Sequence, residues 1–305
     1  MITLRQLRYF EALAHTRHFG RAADLCAITQ PALSQQIKEL ETVLGLRLVE
    51  RTPAGAHLTP AGREIAQRAS RILSEVRDLH EFAIAQQPPL SGRLALGVIP
   101  SIAPYLLPTL LPRLRRHFPQ LELELHEART DPILAELADG RLDLLLLALP
   151  VTDPGLTTEA LFDDPFLLAA PQDMDLPAPA ACLPNLIASQ RLLLLEEGHC
   201  LRDQALAVCA LRERERIDTF GASTLTTIMQ MVAAGMGITL LPEMAMSVEG
   251  RTPGVKLMRL EPPEPSRTIG LAWRRGSPLA ENFHAFGNVV REAHQHLCQI
   301  SISLP

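Results

Sequence analysis

The chain has 305 residues, with 29 Lys and Arg against 34 Asp and Glu, a formal net charge of −5. With 47% apolar, 21% charged and 4% aromatic residues, it is neither a coiled-coil rod, a collagen nor a disordered tail, and its length suits about two domains. Its longest apolar run, about Leu142–Val151, is interrupted by Asp143, far short of the roughly 20 residues that span a bilayer.

The N-terminus, Met1-Ile-Thr-Leu-Arg5, does not have the basic-then-apolar layout of a secretory signal, so a cytoplasmic location is expected. Cys26, Cys182, Cys200, Cys209 and Cys298 make an odd count of five. In a reducing compartment any disulfide among them would be transient, catalytic or sensory rather than structural.

Residues 1–60 carry seven basic and five acidic side chains, +2 against −7 for the remainder. A polyanion is therefore expected at this end. The pattern predicts three short helices. The first carries Leu4, Leu7, Phe10, Leu13 and Ala14 at helical spacing, and Gly20 separates it from a second over Arg21–Ala27. Thr29 suits the N-cap of a third, with Pro31 in its first turn, where a missing N–H costs nothing.

At 100° per residue, Ile37, Leu40 and Leu44 fall within about 40° of Leu33, a single buried stripe. Pro31, Ser34, Gln35 and Lys38 lie on the opposite face. Small, hydrogen-bonding side chains there suit a helix that reads base edges in a major groove. Periodicity alone allows an ordinary solvated face equally well.

The ordered string Phe19-Gly-Arg-Ala-Ala-Asp-Leu-Cys26, Thr29-Gln-Pro-Ala-Leu-Ser-Gln-Gln-Ile37, Leu40-Glu, Leu44-Gly, Arg51 and Leu58-Thr-Pro-Ala-Gly62 resembles the LysR-type transcriptional regulators. That resemblance implies a winged helix-turn-helix in which Gln30, Pro31, Ser34, Gln35 and Lys38 face the groove. Arg51 would hold phosphate beside the wing. The wing itself, Thr52-Pro-Ala-Gly-Ala-His57, has no Arg or Lys, unlike the common basic version.

Between Ala61 and Gln87 there is no proline, and Ile65, Ala69, Ile72, Val76, Leu79 and Ala83 recur at spacings 4-3-4-3-4. Such a narrow a/d seam wants a partner helix. A second copy of the chain is the economical partner; packing against the chain's own domain is the alternative. Pro88-Pro-Leu-Ser-Gly92 ends this linker helix.

After Gly92 the pattern alternates: strand over Arg93–Ile99, helix over Pro104–Phe118, strand over Leu121–Glu127, helix over Asp131–Gly140 and a buried strand over Asp143–Leu149. This β-α-β-α-β order predicts a parallel sheet covered by helices. A second set follows: strand Leu192–Glu196, helix near Cys200–Leu211, strand Arg216–Phe220, helix Leu225–Gly235 and strand Gly237–Leu241. Thr268–Trp273 then reads as a strand and Glu281–Cys298 as a closing helix.

The fold class is α/β. Two α/β halves with a late return to the first resemble the periplasmic-binding-protein-like effector domain of the same family. The expected organisation is a winged helix-turn-helix over 1–60, a dimerising linker helix and hinge over 61–91, and a regulatory domain over 92–305. Its subdomain I covers about 92–162 plus 268–305, and subdomain II about 163–267. Ligands of such folds sit at the carboxyl ends of strands, which selects the loops after Ile99, Glu127 and Glu196.

No catalytic template stands out: there is no Gly-x-Ser-x-Gly, no P-loop, no Gly-x-Gly-x-x-Gly opening a helix, and no Cys-x-x-Cys. The stretch Glu196-Glu-Gly-His-Cys200-Leu-Arg-Asp-Gln204-Ala-Leu-Ala-Val-Cys209 is the most informative of the second half. Cys200 falls at or near a helix start, where the helix N-terminus stabilises thiolate, with Arg202 and His199 as cationic help.

Nine residues of continuous helix would hold Cys200 and Cys209 about 13 Å apart, whereas a disulfide needs roughly 4.4–6.8 Å between Cα atoms. A bonded pair would therefore require the helix to unravel, which is a switch. On these residues alone, two helix cysteines that never meet remain the other reading.

Gly198-His-Cys-Leu-Arg-Asp-Gln204, His126-Glu-Ala-Arg-Thr130, Met231-Val-Ala-Ala-Gly235, Gly237-Ile-Thr-Leu-Leu-Pro242 and Arg267-Thr-Ile-Gly-Leu271 resemble the peroxide-sensing branch of the LysR-type regulators along essentially the whole chain. By that resemblance Cys200 is the peroxidatic cysteine and Cys209 the resolving one. Thr130 and Ser101 position hydrogen peroxide, and His199 and Arg267 stabilise developing charge. The branch more often has Thr where Ser101 stands, and the hydroxyl is retained. Read in isolation, Arg267 could be a strand-edge surface charge and Thr130 a helix cap. Cys26 is expected to pack among Phe19, Ala22 and Leu25, with Cys182 and Cys298 as bystanders.

The resemblance further implies operator DNA, RNA polymerase and a thiol reductant such as glutaredoxin or thioredoxin as partners, a homodimer or homotetramer, and no cofactor, metal or membrane. A regulator sensing an organic metabolite and a thiol peroxidase are the competing functions.

Overall fold

The computed structural model describes residues 1–52, 55–84, 90–176, 190–208 and 222–302. The chain forms two compact units, Met1–Ala83 and Ile84–Pro305. Among the described residues, no helix is long and apolar enough to cross a membrane.

In the first unit, α1 (Leu4–Thr16) starts in a capping box: Thr3 accepts from the Gln6 amide while the Gln6 side chain accepts from the Thr3 amide. Helix α2 spans Phe19–Leu25, two residues earlier than expected at each end. His18, not Gly20, marks its start, because the imidazole Nδ1 accepts from the amides of Gly20 and Arg21. Helix α3 (Gln30–Leu44) begins at Thr29, whose hydroxyl accepts from Ala32 N.

Leu33, Ile37 and Leu40 are buried with Leu7, Phe10 and Leu13 in one core. The wing is an antiparallel pair, β1 (Val49–Thr52) and β2 (Gly55–Leu58). Glu41 Oε1 accepts from the amides of Leu48 and Val49, tying α3 to β1. A side chain at Gly62 would run into Leu48 O, 2.1 Å from the Cβ position, so only glycine lets the next helix start this close.

That helix, α4 (Pro60–Ile84), divides its apolar seam. Ala69 is buried and Ile65 half-buried against the first unit's core. Ile72, Val76 and Leu79 are 46%, 40% and 71% exposed. The first half of the seam thus packs on the chain's own domain, and the second half lies exposed.

The second unit carries β3 (Gly92–Val98), α5 (Ala103–His117), β4 (Leu121–Glu127), α6 (Thr130–Ala138) and β5 (Leu144–Leu149), in the order expected. Strand β3 pairs in parallel with both β4 and β5. Leu144–Leu147 are fully buried, as a run covered on both faces requires. Strand β9 (Ser266–Arg274) adds antiparallel to β5, and α10 (Ala280–Ile302) packs against α5.

The sequence reading missed β6 (Leu156–Pro171), a 16-residue strand, and β8 (Val255–Arg259). The first part of β6 pairs with β9; its last residues pair with β7 (Thr239–Pro242) and β8. The sheet order β4-β3-β5-β9-β6-β7 therefore runs unbroken through the unit, with β8 also on β6. The remaining helices are α7 (Cys200–Val208), α8 (Leu225–Ala233) and the short α9 (Met246–Glu249).

Two expectations are corrected. Residues 192–196 form no ladder, only single parallel bridges from Leu192 to Ile238 and from Leu195 to Ala222. Leu25 is exposed rather than packed over Cys26, although Cys26 itself packs on the first unit's core. The expected strand 216–220, Cys182 and Cys209 lie outside the described residues.

Candidate functional site

Three loops meet at one small cavity. The loop after β3 brings Ile99 and Ser101, the start of α6 brings Arg129 and Thr130, and the start of α7 brings His199 and Cys200. The cavity is small, with room for about one water-sized molecule.

Cys200 is the first residue of α7 and carries a free, half-buried thiol. His199 is buried, and its pKa is held below the ordinary imidazole value by burial first and Arg129 second, with Glu196 opposing. Burial and Arg129 both favour its neutral imidazole. Arg202 is also buried, and its Nη1 donates to Leu195 O at 3.0 Å, which anchors α7 from below.

Arg267 does not line the cavity. It stands behind Ser101, donating from Nη1 to the Ser101 hydroxyl at 2.8 Å and from Nη2 to the Ser101 carbonyl at 3.0 Å. Its Nε donates to Asp164 Oδ2 at 3.0 Å, and both side chains of this pair are fully buried. Asp164 Oδ1 in turn accepts from Met244 N. Because the Ser101 oxygen already accepts from Arg267, its own O–H is available to donate elsewhere. The surface-charge reading of Arg267 is thus excluded, and Thr130, first residue of α6, lines the cavity with Cys200.

Sequence reasoning missed Asp164, because β6 was not recognised, and Arg129, which sat inside a quoted motif without a role. Arg129 Nη1 donates to Glu197 O at 3.0 Å, drawing the α6 start onto the loop before Cys200. Gly198 has φ +89°, and a Cβ there would stand 3.1 Å from Arg129 Nη1.

Among the described residues, no group of three or more His, Cys, Asp or Glu side chains is placed to hold a metal ion.

On the first unit, Gln30, Pro31, Gln35 and Lys38 are exposed along one side of α3, and Ser34 is half-buried. Gln35 Nε2 donates to Glu39 Oε1 at 3.0 Å, which holds the amide in place while leaving its carbonyl oxygen as an acceptor. Ser34 and Lys38 share a groove with Arg47 and Glu50 at the wing's start. Arg47 is exposed and was not singled out from sequence, because one Arg in a loop carries no periodic signal. The Arg51 side chain lies outside those described.

The family pattern described as "Bacterial regulatory helix-turn-helix protein, lysR family" matches residues 4–63, and that described as "LysR substrate binding domain" matches residues 87–295. The chain is 44% identical over 291 residues to the DNA-binding transcriptional dual regulator OxyR of Escherichia coli K12, covering 95% of each. It is 42% identical to a hydrogen peroxide-inducible genes activator of Pectobacterium carotovorum, covering 96% of this chain and 97% of that one.

Among solved structures, a full-length OxyR cysteine-to-aspartate variant from Pseudomonas aeruginosa aligns with TM-score 0.78 at 37% identity, covering 95% of each chain. An H2O2-bound cysteine-to-serine variant of Corynebacterium glutamicum OxyR aligns with TM-score 0.70 at 35% identity, covering 99% of this chain and 95% of that one. With both matched patterns spanning nearly its whole length, the chain belongs to the LysR family of bacterial helix-turn-helix regulators.

Proposed function

We propose that this chain is a DNA-binding transcriptional regulator whose signal is hydrogen peroxide, received at Cys200. The observation that carries this reading is the cavity itself: a thiol at a helix N-terminus, with Ser101, Thr130 and His199 around a space for about one water-sized molecule. Similarity to relatives named as peroxide-inducible activators supports the same reading.

The Cys200 thiolate attacks one peroxide oxygen, the O–O bond breaks, and the departing hydroxide takes a proton to leave as water. The product is a sulfenic acid. The Ser101 and Thr130 hydroxyls hold the peroxide and His199 hydrogen-bonds the departing oxygen, while Arg267 acts through Ser101. The Cys209 thiolate then attacks the Cys200 sulfur, expelling hydroxide, which is protonated to water as the disulfide forms. Helix α7 is continuous from Cys200 to Val208, roughly 12 Å of rise. Closing the bond therefore requires α7 to yield, which is the structural change the regulator transmits.

The domain roles follow: 1–60 binds operator DNA through Gln30, Pro31, Ser34, Gln35, Lys38 and Arg51; 61–91 dimerises; and 92–305 senses, as subdomain I (about 92–162 plus 268–305) and subdomain II (about 163–267). The working form is a cytoplasmic homodimer or homotetramer that engages RNA polymerase and is reset by glutaredoxin or thioredoxin. Cys200 is a stoichiometric reactant rather than a turnover catalyst.

Operator footprinting of wild type and Cys200→Ser, before and after peroxide, tests this. The wild-type footprint shifts with peroxide and the variant's does not; a wild-type footprint indifferent to peroxide sinks the proposal. Thioredoxin-dependent peroxide turnover at enzyme-like rates would instead favour a peroxidase.

A further inference from the structure

Glu249 ends α9 and is 3% exposed. A carboxylate that far from water is costly unless hydrogen bonds replace its hydration. Its Oε1 accepts two: from the Tyr105 hydroxyl at 2.9 Å and from the Thr226 hydroxyl at 2.7 Å. Tyr105 lies in the first turn of α5, four residues beyond Ser101, and Thr226 lies in the first turn of α8.

The backbone between Ser101 and Tyr105 is stiff. Ile102 N and Ala103 N both donate to Ile99 O, and Tyr105 N donates to Ile102 O. The turn from Ile99 to Tyr105 is therefore held at two points, by Arg267 at Ser101 and by Glu249 at Tyr105. Burial, reinforced by Glu249, pushes the Tyr105 phenol far above its ordinary pKa, so it stays a donor at every physiological pH; Arg267 also acts on it electrostatically.

We propose that Glu249 is a positioning residue for the peroxide reaction at Cys200: through Tyr105 it fixes the turn that carries Ser101, and through Thr226 it brings α8 under the same constraint. This rests on the reading that peroxide reacts at Cys200 with help from Ser101. An apolar side chain would fill the same space at no desolvation cost. What the carboxylate adds is direction, since its two bonds fix where both hydroxyls point.

The test uses the full-length protein and mass spectrometry of the Cys200 peptide, comparing the rate of sulfenic acid formation by hydrogen peroxide with the rate of alkylation by iodoacetamide, which needs no Ser101 hydroxyl. Glu249→Ala lowers the peroxide rate about tenfold, as slight misplacement of a reacting group does, and leaves alkylation within about twofold. Tyr105→Phe, which removes one oxygen and keeps the packing, does the same. Glu249→Gln keeps an acceptor oxygen and recovers most of the rate.

In a Ser101→Ala background, Glu249→Ala adds no further loss, because the two act as one unit. The proposal is overturned if the loss persists undiminished in that background, if peroxide and iodoacetamide rates fall together, or if Tyr105→Phe and Glu249→Ala leave the peroxide rate unchanged. Equal peroxide rates in wild type and Ser101→Ala overturn the underlying reading of Ser101, and this inference with it.

Discussion

Arg267 and Asp164 form an ion pair with both side chains wholly buried, and the same guanidinium fixes the hydroxyl and the carbonyl of Ser101. Removing one member of such a pair strands the other charge in the interior. Arg267→Ala is expected to cost about 3–5 kcal/mol, read from the midpoint and slope of chemical denaturation. Arg267→Lys keeps a charge but not the fork, so it should retain more stability while still lowering the rate of Cys200 oxidation.

Gly198 occupies a left-handed backbone conformation beneath the Arg129 guanidinium. Gly198→Ala is strained by its φ and pushes Arg129 away from Glu197. The expected result is a loss of about 1 kcal/mol or more, together with altered peroxide reactivity at Cys200. Unchanged stability would mean that the loop relaxes freely, contrary to the Arg129–Glu197 bond.

Ile72, Val76 and Leu79 lie on the solvent-exposed half of the α4 seam. Val76→Glu with Leu79→Glu should leave the folded monomer intact, because neither side chain contributes to its core, and should shift the protein to a smaller species in sedimentation velocity. Operator affinity should fall with it, since two linked half-sites bind more tightly than one. A variant of unchanged mass in solution would place the interface elsewhere.

Lys38 and Gln35 should fail differently on DNA. Lys38→Ala, if the lysine meets phosphate, weakens all sequences alike and reduces the slope of log K against log salt by about one. Gln35→Ala, if the amide reads a base edge, costs about 1–3 kcal/mol on the operator and little on random DNA. Fluorescence anisotropy at several salt concentrations separates the two.

His294 stacks on Phe162, with ring centroids 3.6 Å apart, and burial holds its pKa below the ordinary value despite Asp164. The unfolded chain thus binds a proton at higher pH than the folded one. Stability from this group is complete above about pH 6.5 and is lost as pH falls from there through the lowered folded value. In denaturation measured from pH 7.5 downward, His294→Gln should show a shallower decline than wild type.

The β-α-β-α-β run from β3 to β5 was legible because each buried face imposes its own period, from alternation in Leu121–Glu127 to the solid run at Leu144–Leu147. Strand β6 was not. Its sequence, Leu-Thr-Thr-Glu-Ala-Leu-Phe-Asp-Asp-Pro through Pro171, places two acids and a proline mid-strand, and these read as a loop. Asp164 is tolerated there because Arg267, 103 positions away, pairs with it and the Met244 amide donates to its other oxygen. The loops carrying Ser101 and Thr130 followed from where the parallel strands β3 and β4 end, whereas the segment before Cys200 makes only single bridges. The placement of Arg267 behind Ser101, rather than in the cavity, depends on long-range pairing that no local pattern encodes.

Strand β6 joins β9 at one end and β7 and β8 at the other without a break. Its partners divide along its length, β9 on residues 156–165 and β7 and β8 on residues 166–171, so a single strand runs through both ladders. The soft deformation of such a ribbon is a change in its twist. In the switch proposed above, a yielding α7 is expected to be accommodated as a small change of twist along β6, turning the β9 ladder against the β7 and β8 ladders.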